Sequence, residues 1–474
     1  MKTPLGKLWF PLLISLLLSG CALLSPTTVT LPETDLPQQF STGESSPGDQ
    51  RPWWEQLHND ELNRLLKTAI GNNLTVRKTW AKLRQARASA IKAGADLLPE
   101  ITGKGSTTPF HSEGPSGVNT SSTWSFGLTS SYEIDLWGRV TADHRQQELS
   151  AFSKEEQVRT AILTLSGQVA KTWISIISIQ EQKKLLREQL SINHKLLDLL
   201  KHRFSLARAT LLDVYQQRQT VLSLENTLIP LEARNKTLYH QLAIYLGHPP
   251  GTLPKIRTKT IPRFQSVARI GLPADLLDQR PDLKDARLQL ESATFQVVQA
   301  RAARLPKLKL SLSLTLSASD LAELVESWVT ALGASLSGSL FDHGYTSAEI
   351  ERTRGIVDEK LSNYRLLLLQ AIGEIEDALA NEEQFRKSET VLSSRILLAD
   401  KTLQEATYRY LNGISDFLPV LQEQLQSVTL KINQIKNRAE LASSRINLLK
   451  ALGGSWLSTI PRPPSSPAFS EPDK

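Results

Sequence analysis

Lys307-Leu-Lys-Leu-Ser-Leu-Ser-Leu-Thr-Leu316 puts leucine at every even position and Lys307, Lys309, Ser311, Ser313 and Thr315 at the odd ones. A strict period of two is a strand with one apolar and one polar face. Its length is enough to cross a bilayer when tilted. After a loop, Leu332, Ala334, Leu336, Gly338 and Leu340 continue the pattern, so the segment reads as a hairpin. Far upstream, Trp124, Phe126, Leu128, Ser130, Tyr132 and Ile134 alternate in the same way. A short glycine-containing strand over 101–108 and a polar Gly/Pro/Ser stretch precede them. Each half of the chain thus contributes one hairpin of roughly ten-residue strands.

Around the hairpins the period changes. No proline occurs between Pro115 and Pro230, or between Pro306 and Pro419. Each window carries one helical pattern, about 140–204 and 345–410, on the order of 100 Å of helix. Apolar residues step by three and four through Ile162, Leu165, Val169, Leu186, Leu190, Leu197 and Leu200. A second series passes through Leu392, Ile396, Ala399, Leu403, Ala406 and Tyr410. A sustained 3.5-residue period means coiled-coil packing. Each long helix meets a break, and a second helix of about thirty-five residues returns antiparallel to it. Pro230 predicts a kink in the first return helix, or the loss of one ladder bond.

The halves are copies. Arg203-Phe204 matches Arg409-Tyr410, Leu246-Gly247 matches Leu452-Gly453, Gly138 matches Gly344 and Gly167 matches Gly373, always 206 positions apart. The predicted organisation is a first helix–hairpin–helix repeat over 53–250, a linker over 251–275, and a second repeat over 276–457. The Pro/Ser-rich tail 458–474 reads as disordered.

The first twenty residues read as an export signal, with Lys2 and Lys7 before the apolar run Leu8–Leu18. Cys21 is the only cysteine in 474 residues, so no disulfide forms within the chain. Leu18-Ser19-Gly20-Cys21 resembles the bacterial lipobox, which implies cleavage before Cys21 and lipid attached to it. Ala22 resembles the signal that releases such lipoproteins to the outer membrane. Residues 21–52, rich in Pro, Ser, Thr and Gly, read as a lipidated tether. The net charge of +7 comes without a dense Lys/Arg block, which argues against a nucleic-acid partner. After residue 25 no apolar run approaches the ~20 residues of a membrane helix, so strands or lipid must carry any insertion.

Four strands cannot close a barrel. Two chains give eight, a barrel filled by its own side chains. Three give twelve, the first simple count that leaves a lumen. The expected fold is therefore mainly α with a membrane β-barrel portion. Three copies supply twelve strands, and the long helix pairs form an α-barrel beyond them. The leucines of 308–316 face lipid and Lys307, Lys309, Ser311, Ser313 and Thr315 face the pore.

Several motifs carry a family resemblance. Asp135-Leu136-Trp137-Gly138-Arg139, Gln279-Arg280-Pro281-Asp282 with Ala286 and Leu290, Leu340-Phe341-Asp342 with Gly344, and Glu374-Ile375-Glu376-Asp377-Ala378-Leu379 appear in order. The chain resembles the TolC-like outer-membrane factors, in the lipoprotein branch typified by NodT and OprM, over about residues 53–456. The resemblance implies a trimeric exit duct that carries out no chemistry of its own. A periplasmic adaptor (membrane fusion) protein and an inner-membrane pump, of resistance–nodulation–division type, would be its partners. Drugs, metals or other small toxic compounds would be its cargo. It also implies that Arg409, Tyr410 and Gly413, with Arg203 in the first copy, form the periplasmic tip. There Ala207 stands where glycine is usual, which predicts a differently shaped first turn. Asp416, and with it Asp213, either ring a narrow aperture, where carboxylates would favour cations, or cap helix ends.

His194, Asp198 and His202 share one helix face but read as an exposed polar stripe, so no metal is expected. No cofactor is expected beyond the lipid on Cys21. Trp53-Trp54 and Trp456 read as packing or interface aromatics. Two other readings remain: a duct for a type I protein-secretion system, and a lipid-anchored coiled-coil scaffold without a pore. No Ser/His/Asp set or phosphate loop supports an enzyme.

Overall fold

The computed structural model describes residue 40 and residues 52–115, 117–262 and 276–453. Cys21, the signal segment, most of the tether, half of the linker, Trp456 and the tail lie outside the described residues.

A 3₁₀ turn, Trp53–Leu57, opens the first copy, followed by α1 (Asp60–Asn72) and α2 (Leu74–Ala95). Asn73 breaks these helices apart: its Oδ1 accepts the Thr75 and Val76 N–H groups, capping α2. Then come β1 (Glu100–Gly114), β2 (Gly117–Ile134), α3 (Arg139–Ser205) and α4 (Leu211–Tyr245). The second copy runs α5 (Leu276–Gln279), α6 (Pro281–Ala302), β3 (Lys307–Ala318), β4 (Trp328–Ser337), α7 (Tyr345–Leu411) and α8 (Leu418–Ala451). α3 and α7 have 67 residues each and begin 206 positions apart.

The described residues divide into two compact units. One comprises Ala81–Glu156 with Lys284–Leu366 and holds the sheet. Its order is β1-β2-β3-β4, all antiparallel, with Leu308 opposite both Ile134 and Leu336. Its helical segments are joined by bonds from Ser153 Oγ to Asp285 at 2.5 Å and from Gln299 Nε2 to Gln146 Oε1 at 2.8 Å. The first hairpin departs from expectation. Its strands have 15 and 18 residues against 12 and 10 in the second, and the polar stretch expected as loop is paired from Pro109↔Ser122 to Gly114↔Gly117. Pro109 is tolerated because β1 is an outer strand.

The other unit takes in the described residues up to Trp80, Gln157–Leu283 and those from Leu367 onward, and so holds the rest of the long helices with α4 and α8. In it α4 returns antiparallel to α3, with Gln217 bonded to Asn193 and Arg187 to Glu232. α8 returns along α7 in the same sense, with Lys431 on Asp400 and Arg438 on Glu389. α4 runs unbroken through Pro230, which forfeits one ladder bond. Val158, Leu165, Thr172, Ile179, Leu186, Asn193 and Leu200 are all buried, seven residues apart. Tyr364, Ala371, Ala378, Leu392, Ala399 and Ala406 occupy the same register of α7 and are buried too. That is the seam of a coiled coil. One stretch of α3 is long and apolar enough to cross a membrane, but 78% of it is buried inside the chain, as in a core helix.

Buried Arg280 anchors the start of the second copy. It donates to Asp282, to Glu374 and to the carbonyl of Ala451. Burial disfavours its charge, but the Asp282 and Glu374 carboxylates outweigh it and raise its pKa. In the first copy the Asn73 amide makes the matching bond, to the carbonyl of Tyr245 at 2.9 Å.

Candidate functional site

The sheet is amphipathic. On one face Phe126, Leu128, Tyr132 and Ile134 stand opposite Leu316, Leu314, Leu310 and Leu308. Leu332 and Leu336 extend that face across β4. Lys307, Lys309, Ser311, Ser313 and Thr315 lie together on the opposite face, as the alternation predicts. Lys309 stands directly opposite Glu133 on β2, so the polar face carries opposite charges on adjacent strands. Trp124 and Trp328 stand two rungs apart at the far end of β3, opposite Ala318 and Leu316. At the near end Trp137 Nε1 donates to the carbonyl of Pro306 at 2.7 Å.

The turns joining the helix pairs hold the second group of candidates. α3 ends with Ala207 at φ +55°, and α7 ends with Gly413 at φ +72°. The Arg208 N–H donates to the Arg203 carbonyl at 2.8 Å, and the Ala207 N–H to Phe204 at 2.9 Å. In the second copy Ile414 N–H donates to Arg409 at 2.9 Å and Gly413 N–H to Tyr410 at 3.1 Å. Both are the paired bonds of a Schellman cap. The expected difference in shape is therefore corrected: both turns close alike, and Ala207 adopts a left-handed backbone that disfavours a Cβ by ~1–2 kcal/mol.

The turns share one apolar cluster. Tyr410 is buried with Leu200, Ala406, Phe417, Val420 and Leu421. Its ring centroid lies 4.9 Å from that of Phe417, and the Arg203 guanidinium carbon lies 5.1 Å from it. That is cation–π distance. Burial, and then the Asp213 carboxylate, raise the Tyr410 phenol pKa, with Arg203 opposing.

The two aspartates differ. Asp213 completes a capping box: its carboxylate accepts the Thr210 N–H at 2.9 Å, and its own N–H donates to Thr210 Oγ1 at 3.2 Å. The Thr-x-x-Asp spacing was there to be read. Asp416 is exposed just before α8, with no side-chain bond to the cap. Arg409 is tied to Glu405 at 2.8 Å on its own helix and takes no part in the cluster. His194 lies 3.8 Å from Glu225, and Asp198 pairs with Lys201. Trp53 is buried and donates to Ser166 Oγ at 3.3 Å, which makes it a packing residue.

Comparison with known proteins follows the same outline. The sequence matches the outer membrane efflux protein family over residues 65–248 and 272–454. It is 31% identical to the pyoverdine export outer membrane protein OpmQ of Pseudomonas aeruginosa over 458 residues, covering 93% of this chain and 97% of OpmQ. It is 27% identical to nodulation protein T of Rhizobium leguminosarum bv. viciae, covering 94% of this chain and 92% of that one. The solved outer-membrane channel OprN shares the fold, with a TM-score of 0.84 at 23% identity over 92% of this chain and 100% of OprN.

Proposed function

Because the chain belongs to the outer membrane efflux protein family and is an outer-membrane efflux channel, we propose that three copies close one twelve-stranded barrel in the membrane. The observation that carries this is the sheet's edges. β1 and β4 are its outer strands, each paired on one side only among the described residues. An open edge in hydrocarbon leaves backbone groups unsatisfied at several kcal/mol each. β1 of one copy must therefore pair with β4 of the next. The leucine face then meets lipid, and Lys307, Lys309, Ser311, Ser313 and Thr315 line a water-filled lumen. Trp124 and Trp328 sit where an interfacial aromatic girdle belongs.

On this reading lipid on Cys21 anchors the chain, and the long helix pairs carry the duct into the periplasm. There a membrane-fusion adaptor and an inner-membrane pump of resistance–nodulation–division type engage it. The duct is passive, and the pump supplies both energy and selectivity. A small secreted or toxic compound is the cargo class, as the likeness to a pyoverdine exporter favours. Asp416, exposed ahead of α8, supplies a ring of three carboxylates at the periplasmic aperture. Asp416→Ala then lowers cation selectivity in planar bilayers.

The barrel is tested with cysteine pairs across the proposed seam. Thr102→Cys, Lys104→Cys or Ser106→Cys on β1 is combined with Ala331→Cys on β4 in outer membranes. Oxidation gives covalent species that stop at three copies. No inter-copy link in any combination, or a ladder running past three, overturns the reading.

A further inference from the structure

The first hairpin outruns the second. The last β2–β3 rung is Trp124↔Ala318, yet β2 remains paired with β1 down to Gly117. Seven rungs, about 24 Å of two-stranded ribbon, stand beyond the four-stranded sheet. The apolar alternation stops at the same place. On the leucine side, the residues beyond Trp124 are Ser122, Thr120 and Val118, facing Pro109, His111 and Glu113. The ribbon has therefore left the apolar band.

The opposite, polar side of the four strands consists almost throughout of Ser, Thr, Gly, Asn, Lys and Glu. Val329 and Ala331 on β4 are small exceptions. Phe110 is the only aromatic residue on that side among the described residues, and it is 53% exposed. Its cross-strand partner is Ser121, three residues past Trp124, about 10 Å beyond the aromatic level. No neighbour in the ribbon explains a phenylalanine there: its flanking same-side residues are Thr108 and Ser112. Within its own chain Phe110 is not a core residue, and the side on which it stands is not the leucine side that meets lipid.

We propose that Phe110 is a specificity-determining residue of the duct, forming with its two symmetry copies an apolar collar at the exit mouth. The inference rests on the trimeric-barrel reading, which turns the polar face inward. Three aromatic rings projecting into an otherwise hydrophilic exit make a poorly hydrated constriction. Such a constriction resists hydrated ions and yields to organic cargo with apolar or aromatic surface. It gives the outer end of the duct a filter chemically unlike the carboxylates proposed at the periplasmic end.

The test compares adjacent residues on opposite faces. Phe110→Cys and His111→Cys are each made in the full chain and reconstituted in planar bilayers. Asp416→Ala is included as a second background, so that the periplasmic end does not limit the current. A bulky charged thiol reagent is added from the side exposed on cells. Labelling at position 110 should abolish most of the single-channel current, and labelling at 111 should leave it unchanged. Phe110→Leu should keep the unmodified conductance. Normal channels in which both labels act alike, or neither acts, overturn the collar alone. Absence of any channel from the unmodified protein overturns the barrel reading and the collar with it.

Discussion

In the first copy, position 176 of α3 is a fully buried isoleucine and position 239 of α4 a tyrosine. The Tyr239 hydroxyl accepts from Gln180 at 3.1 Å and from the Ile256 N–H at 2.8 Å. Move 206 residues on, and the same places hold Glu382 and Arg445, an ion pair whose side chains are 7% and 5% exposed. Among the described residues Glu382 Oε2, Arg445 Nε and Arg445 Nη1 have no hydrogen-bond partner. Burial lowers the Arg445 pKa, and Glu382 only partly offsets it. One backbone thus accommodates an uncharged, hydrogen-bonded solution in one copy and an incompletely satisfied ionic one in the other. The seven-residue seam sets the helix pairing, and the pair within it is free to vary.

That comparison can be broken directly. Glu382→Ile alone strands the buried Arg445 charge and should destabilise by about 3–5 kcal/mol, whereas Arg445→Tyr leaves Glu382 paired with Arg386 at 2.6 Å and should cost less. The double variant reproduces the first copy's chemistry and should recover to near the parent, or exceed it. Thermal midpoints of the protein in detergent report both. A double variant as weak as either single one would show that the ion pair does more than fill the seam.

The glycines sharpen the comparison at the helix ends. Gly247 and Gly453 both have positive φ, and a Cβ on either would stand 2.5 Å from a backbone oxygen, of Asn72 or Gln279. Gly247→Ala and Gly453→Ala combine backbone strain with a clash, and each should destabilise by about 2–4 kcal/mol. The tip turns share the left-handed backbone without the crowding, since nothing lies within 4 Å of a Cβ on Gly413. Gly413→Ala should therefore destabilise by only about 1 kcal/mol, and Ala207→Gly should stabilise by up to that amount. The same melting assay ranks all four. A large loss at Gly413 with none at Gly453 would mean that the turns, rather than the helix ends, hold the copies in shape.

Much of this was legible in the chain. The long helices begin and end within a residue or two of where the proline-free windows and the paired Arg203 and Arg409 put them. The leucine alternation over 308–316 read as it folds, because a buried or lipid-facing side imposes a strict period. The β1–β2 ribbon did not, because Ser, Thr and Gly carry no facial contrast and the pairing rests on backbone bonds alone. Long-range partners escaped for a different reason. Nothing local links Arg203 to Tyr410, or Glu382 to Arg445, until the two long helices meet at their tips and α8 returns along α7. Ala207 misled because propensity alone asks for glycine, whereas the Schellman bonds hold an alanine in the same turn.

The smallest expected effect lies at Tyr410, whose counterpart in the first copy is Phe204. Phe204 is 44% exposed, while Tyr410 is buried and its hydroxyl has no hydrogen-bond partner among the described residues. Burial and the nearby Asp213 raise its pKa in the fold, above the ~10 of an unfolded chain. The fold thus favours the neutral phenol. That contribution is present in full below pH ~10 and is lost as pH rises through the higher folded value. Tyr410→Phe gives up no hydrogen bond and removes an unsatisfied buried hydroxyl, so at neutral pH it should be neutral or stabilising by at most ~1 kcal/mol. Above pH ~10 the variant should outlast the parent, because it has no phenol to ionise. Melting curves on either side of that pH decide it. An equal alkaline loss in both proteins would place the sensitivity elsewhere and leave Tyr410 as packing alone, the second copy's enlarged version of Phe204.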